Sequence, residues 1–298
     1  MSEPDLRIDP LTGAYAVLTP WRQQRPNLPE GHCPFCPGGL EAPDPYHVRW
    51  IPNRWPALPE GRHEVILHSP DHHATFPALG EEQSARVVEL WSARTAVLSA
   101  RDDVGYVFVF ENRGRQIGAT IDHPHSQVMA FGVVPPIAAA ELGTGTCELC
   151  REPSGELVVA EHHAWRAAVP WAPSWPYELV LAPHSHVPDL PAAGETLRAG
   201  LAVMLVETLT RMQRLFGPDA PYMMWFHQRP SAPGDWLTAH LHLHVAPAVR
   251  APGVRRHLAS AELGAGVFFD PVDPLDAATR LRKPSTEGLP SPESRTGT

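Results

Sequence analysis

The sequence predicts an α+β fold built from two fused and similar halves, each an antiparallel sheet with one long helix. Two observations predict this fold. One set of cysteines and histidines occurs twice at matching spacings, and each copy is accompanied by the same succession of strand-like and helix-like segments. Strands in runs, with a single long helix set among them, are typical of α+β rather than α/β proteins. The predicted halves are residues 1–140 and 141–282.

The repeat is clearest in four pairs of chemically distinctive residues. The pairs are Cys33 with Cys147, Cys36 with Cys150, His72 with His186, and His123 with His240. The first three pairs are 114 positions apart and the fourth is 117 apart, a drift of three residues that a loop can absorb. A set that recurs in the same order indicates a duplication, because chance would rarely reproduce all four pairs in the same order at nearly the same spacing.

Each half is expected to contain the same three elements: a short strand, a long helix and a second strand. They are residues 64–69, 81–101 and 107–112 in the first half, and 178–183, 194–216 and 221–227 in the second. Apolar residues at helical spacing predict the helices, and aromatic and β-branched residues predict the strands. A further strand with alternating histidines is expected to close each half.

Two cysteines and two histidines in each half form a ligand set of the kind that structural zinc prefers. The sets are Cys33, Cys36, His72 and His123 in the first half, and Cys147, Cys150, His186 and His240 in the second. Four protein ligands leave no open coordination position, so each zinc is expected to be structural. A redox function of the CxxC pairs is the alternative, although neither pair opens a clear helix after a strand. His68, His73 and His184 are nearby substitutes for the histidine ligands.

The stretch IDHPHSQ suggests the chemistry of the first half. It carries His123, His125 and Gln127 on alternate positions, which a strand directs to one face. With His123 bound to a metal, His125 is held two residues away, and a fixed neutral imidazole is a good nucleophile for phosphorus. Gln127 can donate to a phosphate oxygen without titrating. The second copy, AHLHLH, has histidine in place of the glutamine, so we expect only the first copy to react.

These residues resemble a known enzyme family. The segment FENRGRQIGATIDHPHSQ is similar to the signature of the galactose-1-phosphate uridylyltransferase family, in the histidine-triad superfamily. CPFCPG, SPDHH and HLHLHVAP match as well, and the resemblance runs from IDPLTGAYAVLTPWRQQRP to about Arg282. It implies two fused histidine-triad-like halves and a two-step exchange. His125 would attack the α-phosphorus of UDP-glucose and release glucose 1-phosphate, and galactose 1-phosphate would then take the uridylyl group.

The resemblance also implies roles for individual residues. His125 is the expected nucleophile, with Gln127 beside it in the catalytic site. The implied nucleotide and phosphate contacts are Arg22, Arg25, Asn53, Asn112, Gly118, Thr120 and Gln127. Glu262 matches a glutamate that binds the hexose hydroxyls. Family members are usually dimers whose residues cross into the partner's site, so a homodimer is expected, with UDP-glucose, UDP-galactose and hexose 1-phosphates as its small-molecule substrates.

Several positions depart from the family pattern and leave alternatives open. Arg54 stands where some members carry Asp near the nucleoside, and Phe268 stands where Gln is often found. The second cysteine pair resembles the two-zinc pattern of plant ADP-glucose phosphorylase, which transfers AMP to phosphate. His227, His242 and His244 fall on metal-binding positions of other members. The alternatives are an ADP-glucose phosphorylase-like nucleotidyltransferase and, in another class, a non-catalytic zinc-stabilised nucleotide-binding protein.

Composition excludes other functions. The net charge of −9 argues against nucleic-acid binding, so phosphate contacts should be local and made by a few placed arginines. No apolar run approaches the roughly 20 residues of a membrane helix, and the N-terminus has no signal-peptide pattern. We therefore expect a cytoplasmic protein that does not contact membranes. Residues 283–298 are expected to be a disordered tail.

Overall fold

The computed structural model describes residues 5–25, 32–59, 61–143 and 145–283, and it confirms the predicted α+β fold. The strands, in chain order, are β1 (Asp5–Ile8), β2 (Tyr15–Leu18), β3 (Arg49–Pro52), β4 (His63–Leu67), β5 (Tyr106–Arg113), β6 (His125–Phe131), β7 (Val158–His162), β8 (Trp165–Ala168), β9 (Leu179–Pro183), β10 (Tyr222–His227), β11 (His242–Pro247), β12 (Val249–Ala251) and β13 (Val254–Arg255). The α-helices are α1 (Gly80–Ser99), α2 (Pro136–Leu142), α3 (Glu195–Phe216), α4 (Ser260–Ala265) and α5 (Pro274–Arg282). None of these helices has the length and apolar character needed to cross a membrane.

The two halves share one sheet. Its nine strands run in the order β3-β4-β6-β5-β10-β11-β9-β8-β7, and every neighbouring pair is antiparallel. The halves meet at β5 and β10. Outward from this central pair, β5-β6-β4-β3 on one side matches β10-β11-β9-β8 on the other. The register matches too, because Phe110 lies opposite Gln127 and Trp225 lies opposite His244.

The division of the chain into two domains remains a prediction. The boundary predicted at residue 140 lies inside α2, and β5 of the first half pairs with β10 of the second. The halves are therefore joined by backbone hydrogen bonds as well as by the connecting chain. The predicted tail, apart from Lys283, lies outside the described residues.

The long helices α1 and α3 lie together on one face of the sheet. In α1 the residues buried at helical spacing include Val87, Val88, Trp91 and Leu98, which gives the helix one core-facing side. The strand residues that pack with the two helices are Val107, Val109, Val128, Ala130, Leu179, Leu181, Met224, Phe226, Leu243 and Val245. Because side chains alternate along a strand, the residues between them point to the opposite face, which carries His125, Gln127, His242 and His244.

The helix bounds follow from the sequence. Glu81 and Glu82 lie in the first turn of α1, where negative charge favours the N-terminus of a helix. The α3 helix ends before Gly217, whose φ of 99° is readily adopted only by glycine. Both helices agree with the predicted ranges to within two residues.

Trp91 is central to the packing between α1 and the sheet. It is fully buried, stacks on Phe76 with ring centroids 6.0 Å apart, and contacts Phe226 edge-on at 5.3 Å. Its indole Nε1–H donates to the Oγ of Ser126, at 2.7 Å. Ser126 is the neighbour of His125, so this contact holds β6 directly behind the histidine that the sequence predicts to be the nucleophile.

We predict that Trp91→Ala lowers the free energy of unfolding by about 3–5 kcal/mol, because it removes a large buried ring and leaves a cavity. Urea unfolding of the metal-loaded protein measures the change. Trp171→Ala is the matched control, since Trp171 is 79% exposed and its removal should change stability by at most about 0.5 kcal/mol. Equal effects of the two substitutions would contradict the assigned packing.

Candidate active site and metal clusters

The structure orients His125 through the backbone of His123. The Nδ1 of His125 lies 2.7 Å from the carbonyl oxygen of His123, and a carbonyl can only accept, so Nδ1 carries the proton. Burial lowers the pKa of His125, against the raising effect of this hydrogen bond, and the ring is neutral at pH 7. The lone pair is then on Nε2, which has no hydrogen-bond partner among the described residues. A neutral ring with one free nitrogen is a competent nucleophile.

One cavity of about 580 Å³ brings together every residue expected to contact the nucleotide or its phosphates. These residues are Arg22, Arg25, Asn53, Asn112, Gly118, Thr120, His125 and Gln127. Gly118 has a φ of 89°, which a glycine adopts without strain and which turns the β5–β6 loop back toward the cavity. The cavity also has apolar walls that the sequence did not single out, formed by Phe35, Trp55 and Phe110.

Two arginines give this cavity a local positive charge. Neither Arg22 nor Arg25 forms an ion pair among the described residues, although the chain as a whole carries a net charge of −9. Burial lowers the pKa of both guanidinium groups, which remain charged at any physiological pH. Arg25 is held by a 2.7 Å hydrogen bond from Nη2 to the Oγ1 of Thr120. Two unpaired cations next to His125 form a site for an anion such as a phosphate group.

Gln127 lies on the same side of β6 as His125, with its Oε1 turned toward the protein. The Nε2 of His63, on β4, lies 2.9 Å from this oxygen, and the Nδ2 of Asn53 lies 3.4 Å from it. His63 was not predicted from the sequence, because a histidine at the start of a strand has no distinguishing signal. Only the pairing of β4 with β6 brings it to Gln127.

The first predicted metal set converges in space. One ligand atom from each of Cys33, Cys36, His72 and His123 lies within 4.8 Å of all the others. The Sγ of Cys36 is 3.6 Å from the Nδ1 of His72 and 3.7 Å from the Nδ1 of His123. Tetrahedral bonds of ordinary zinc lengths would place sulfur and nitrogen roughly 3.6 Å apart, so these residues fit a tetrahedral metal ion. The other nitrogen of His123 donates to the carbonyl of Ser69 at 2.7 Å, which fixes the ring.

The second predicted set converges in the same way. The ligand atoms of Cys147, Cys150, His186 and His240 also lie within 4.8 Å of one another. Sulfur–nitrogen distances are 3.3 Å from Cys147 to His240, 3.3 Å from Cys150 to His186 and 3.7 Å from Cys150 to His240. These residues could hold a metal ion at the place in the second half that corresponds to the first cluster.

A third cluster, of Glu141, His227, His242 and His244, was not part of the predicted ligand set. One carboxylate oxygen of Glu141 lies 2.6 Å from His227, 2.9 Å from His242 and 3.3 Å from His244. The second nitrogen of His242 already donates to the carbonyl of His240, at 2.8 Å, and that of His244 faces Glu178. A neutral His242 would thus point its Nε2 lone pair at the carboxylate, whereas His227 can donate from Nδ1 and, against the lowering effect of burial, the two carboxylates raise the pKa of His244 to about 9. The four side chains could hold either protons or a metal ion, because their ligand atoms converge within 4.8 Å.

Comparison with known proteins identifies the family. The sequence matches the family model of the galactose-1-phosphate uridyl transferase N-terminal domain over residues 55–135 and that of the C-terminal domain over residues 148–282. The galactose-1-phosphate uridylyltransferase of Thermotoga maritima is 32% identical, with 95% of this chain and 99% of the relative covered. That of Streptomyces lividans is 37% identical over 94% of this chain and 86% of the relative. The chain belongs to the galactose-1-phosphate uridylyltransferase family.

Solved structures agree with this assignment. A uridylyltransferase structure superposes with a TM-score of 0.85 at 30% identity, covering 93% of this chain and 97% of the other. An ADP-glucose phosphorylase from Arabidopsis thaliana with bound ADP-glucose superposes with a TM-score of 0.76 at 26% identity, covering 95% of this chain and 99% of the other. The resemblance inferred from the HPHSQ, CxxC and SPDHH motifs is therefore confirmed, and the chain is a member of a nucleotidyltransferase family.

The nine-stranded sheet thus carries two copies of one histidine geometry. His125 and His242 each donate from Nδ1 to the carbonyl two residues earlier, at 2.7 and 2.8 Å. In the first copy Nε2 is free at the edge of the cavity. In the second copy Nε2 is occupied by Glu141. The duplicated strands therefore differ in whether the second ring nitrogen is available.

Among the predicted nucleotide, phosphate and sugar contacts, Glu262 alone does not line the cavity. It lies at the start of α4, nearly buried, and its carboxylate accepts from Arg256 Nη2 at 2.7 Å and from the backbone N–H of Ala259 at 3.1 Å. Its assignment as a sugar contact remains a prediction. Glu262 is not among the residues that line this cavity in its own chain.

We predict that replacing Cys33 and Cys36 by serine removes one metal ion per chain, and that replacing Cys147 and Cys150 removes another. The reason is that each pair supplies half of a tetrahedral ligand set. Elemental analysis of the purified variants measures the content. If either double variant kept its full metal content, the corresponding cluster would not be a metal site. If one further ion were lost only on substituting Glu141 and His227, the third cluster would be a metal site as well.

Proposed function

We propose that this protein is a galactose-1-phosphate uridylyltransferase that works through a uridylyl-His125 intermediate. The observation that carries the proposal is the orientation of His125. Its Nδ1 is held by the His123 carbonyl, and its free Nε2 lies at the cavity that contains Arg22, Arg25 and Gln127. A non-catalytic nucleotide-binding protein would have no need of a free, oriented nucleophile beside two unpaired cations.

The reaction requires two displacements at the same phosphorus. In the first, Nε2 of His125 forms a bond to the α-phosphorus of UDP-glucose, and the bond to the oxygen of glucose 1-phosphate breaks. In the second, a phosphate oxygen of galactose 1-phosphate forms a bond to that phosphorus, and the bond to Nε2 breaks to yield UDP-galactose. Both nucleophiles are already unprotonated, so the site needs no strong general base. This is double-displacement catalysis.

Gln127 and the two arginines are suited to the charge that moves in these steps. Arg22 and Arg25 would bind the phosphate oxygens of the substrate, and the amide of Gln127 would donate to a nonbridging oxygen as negative charge grows there. An amide does not titrate near neutral pH and does not deliver a proton to the intermediate. The covalent bond to His125 can therefore last until the second substrate binds.

We assign zinc to the two Cys2His2 clusters. Thiolate and imidazole are the ligands that tetrahedral zinc prefers, and the sulfur–nitrogen distances of 3.3 to 3.7 Å are close to those its bond lengths require. With four protein ligands each ion would be structural. The first would anchor His123, whose carbonyl orients His125.

We further propose a homodimer in which α4 completes the partner's site. Glu262 lies outside the cavity of its own chain, and the segment that follows it is unusually apolar and exposed. Leu263 is 76% exposed and Phe269 is 60% exposed, with Val267 and Phe268 between them. An exposed patch of this kind is typical of an interaction surface. A dimer would cover these side chains and bring Glu262 to the hexose of the other subunit.

The second candidate is an ADP-glucose phosphorylase. It is favoured by Arg54, which lines the cavity where some family members carry aspartate, together with Glu41. The structural likeness to the phosphorylase with bound ADP-glucose is also extensive. The same His125 chemistry serves both activities, so the two differ in the nucleobase and in the acceptor.

We predict that the protein exchanges labelled glucose 1-phosphate into UDP-glucose without galactose 1-phosphate, because the first displacement is complete by itself. The His125→Ala variant should exchange at least about 1,000-fold more slowly, and Gln127→Ala about 100-fold more slowly. ADP-glucose with inorganic phosphate is measured in parallel. Exchange with ADP-glucose alone would support the phosphorylase, and full exchange by His125→Ala would exclude this nucleophile.

We also predict that the double substitution Leu263→Asp and Phe269→Asp converts a dimer of about 65 kDa into the 32.7 kDa monomer. The two introduced carboxylates would be buried in the dimer interface but solvated in the monomer. Light scattering after size-exclusion chromatography measures the mass, and uridylyl transfer should fall at least about 10-fold. The matched control is Val97→Asp, on an exposed position of α1. A monomeric, fully active wild type would contradict the shared site.

A further inference from the structure

The side-chain amide of Gln127 has an NH2 group that donates hydrogen bonds and an oxygen that only accepts them. Only the NH2 group can bind a phosphate oxygen. Its Oε1 lies 2.9 Å from His63 Nε2 and 3.4 Å from Asn53 Nδ2, so its NH2 group is the end left for the cavity. The two ends have nearly the same shape, and packing alone does not distinguish them. Some hydrogen-bonded group must therefore set the orientation.

The proton on His63 is assigned by a backbone group. The N–H of Ala57 points at His63 Nδ1 over 2.9 Å, and a backbone N–H can only donate. Nδ1 must therefore offer a lone pair, and the proton of the neutral ring is on Nε2. A proton on Nδ1 would place two N–H groups against each other. Nε2–H of His63 is thus a fixed donor toward the Oε1 of Gln127.

Asn53 is oriented in the same manner. The backbone N–H of Trp55 donates to Asn53 Oδ1 at 2.8 Å, which leaves the NH2 of Asn53 as the end that faces Gln127. Its Nδ2 lies 3.1 Å from His63 Nε2, and both nitrogens carry protons directed to the same acceptor. Each of the two lone pairs of Gln127 Oε1 then has one donor, His63 or Asn53, and the contact with His63 is the shorter.

The surroundings keep His63 in this neutral form. Its side chain is 1% exposed. Burial lowers the pKa of His63 to about 4, the hydrogen bond to Gln127 opposes this, and the charges of Arg22 and Arg25 lower it further. The ring is therefore uncharged at neutral pH and acts only as a hydrogen-bond donor and acceptor.

We propose that His63 is a positioning residue for uridylyl transfer: through the chain Ala57 N–H, His63, Gln127 Oε1, it holds the amide of Gln127 with its NH2 toward the phosphate. The proposal rests on the proposed function, in which Gln127 donates to that phosphate. Without the His63 donor only the longer 3.4 Å contact from Asn53 holds Oε1, and the amide can more readily rotate by 180° and present its oxygen, which repels the phosphate. His63 itself does not reach the substrate.

Two substitutions of similar size separate the parts of this chain. In H63Q the side-chain NH2 can occupy the place of the lost Nε2–H, whereas H63N has its polar group near the place of Nδ1 and keeps an acceptor for the Ala57 N–H. We expect kcat to fall about 10-fold in H63N and to stay within about threefold of wild type in H63Q, with KM for UDP-glucose changed less than kcat. Equal losses in both variants would overturn the proposal.

A double-mutant cycle tests whether His63 acts through Gln127. In a Q127A background, H63N should cause less than a twofold further loss, because the amide it positions is absent. Independent losses that multiply would show a separate structural effect of His63 and would contradict the proposal. Thermal unfolding of each variant is recorded alongside the kinetics.

The ring proton can be observed without any turnover. In protein labelled with ¹⁵N-histidine, the His63 signals are assigned as those missing from H63N, and long-range ¹H–¹⁵N correlations report the tautomer. We expect the neutral Nε2–H form at pH 7, and an Nδ1–H form would overturn the proposal. Absent transfer by the wild-type protein would instead contradict the proposed function, while the tautomer would still decide the role of His63.

Discussion

The hydrogen bond from His125 Nδ1 to the carbonyl of His123 is the constraint on which the site depends. It determines which ring nitrogen carries the proton, and hence which one has a free lone pair. It also connects the His125 ring to the first cysteine–histidine cluster, because His123 supplies a potential ligand atom to that cluster. The Nε2 of His123 donates to the Ser69 carbonyl, so both residues of the pair have fixed rings. The orientation of both rings is thus fixed by hydrogen bonds to backbone carbonyls.

The duplicated architecture places one histidine geometry in two different surroundings. Both halves hold a histidine by the same backbone contact, on equivalent strands of a shared sheet. What differs is the residue two positions further on and the group at Nε2. Glutamine at position 127 leaves the first imidazole free beside two arginines, whereas His244 and Glu141 enclose the second one in a cluster. A small change of side chains on a common backbone thus separates a histidine with a free Nε2 from one whose Nε2 contacts a carboxylate.

Much of the fold and of the metal clusters could be predicted from the sequence, because the spacing of cysteines and histidines indicates the duplication. The cysteine–histidine sets, the long helices and the strands flanking them all follow from local patterns, and the fold and family are confirmed. Contacts between distant segments are a different matter. His63 and Gln127 meet only because β4 pairs with β6, and Glu141 reaches three histidines only after α2 has packed on the sheet. The position of Glu262 could not be predicted either, because whether it lines the cavity depends on tertiary structure.

The most direct test of the central claim is to locate the uridylyl group on the enzyme. The protein is incubated with UDP-glucose labelled at the α-phosphorus, denatured in alkali and digested, and the labelled ring nitrogen is identified by mass spectrometry and ³¹P–¹⁵N coupling. The hydrogen bond between His125 and His123 predicts a single adduct on Nε2 of His125. Label on Nδ1 of that ring, label on another residue, or no covalent label would contradict the mechanism.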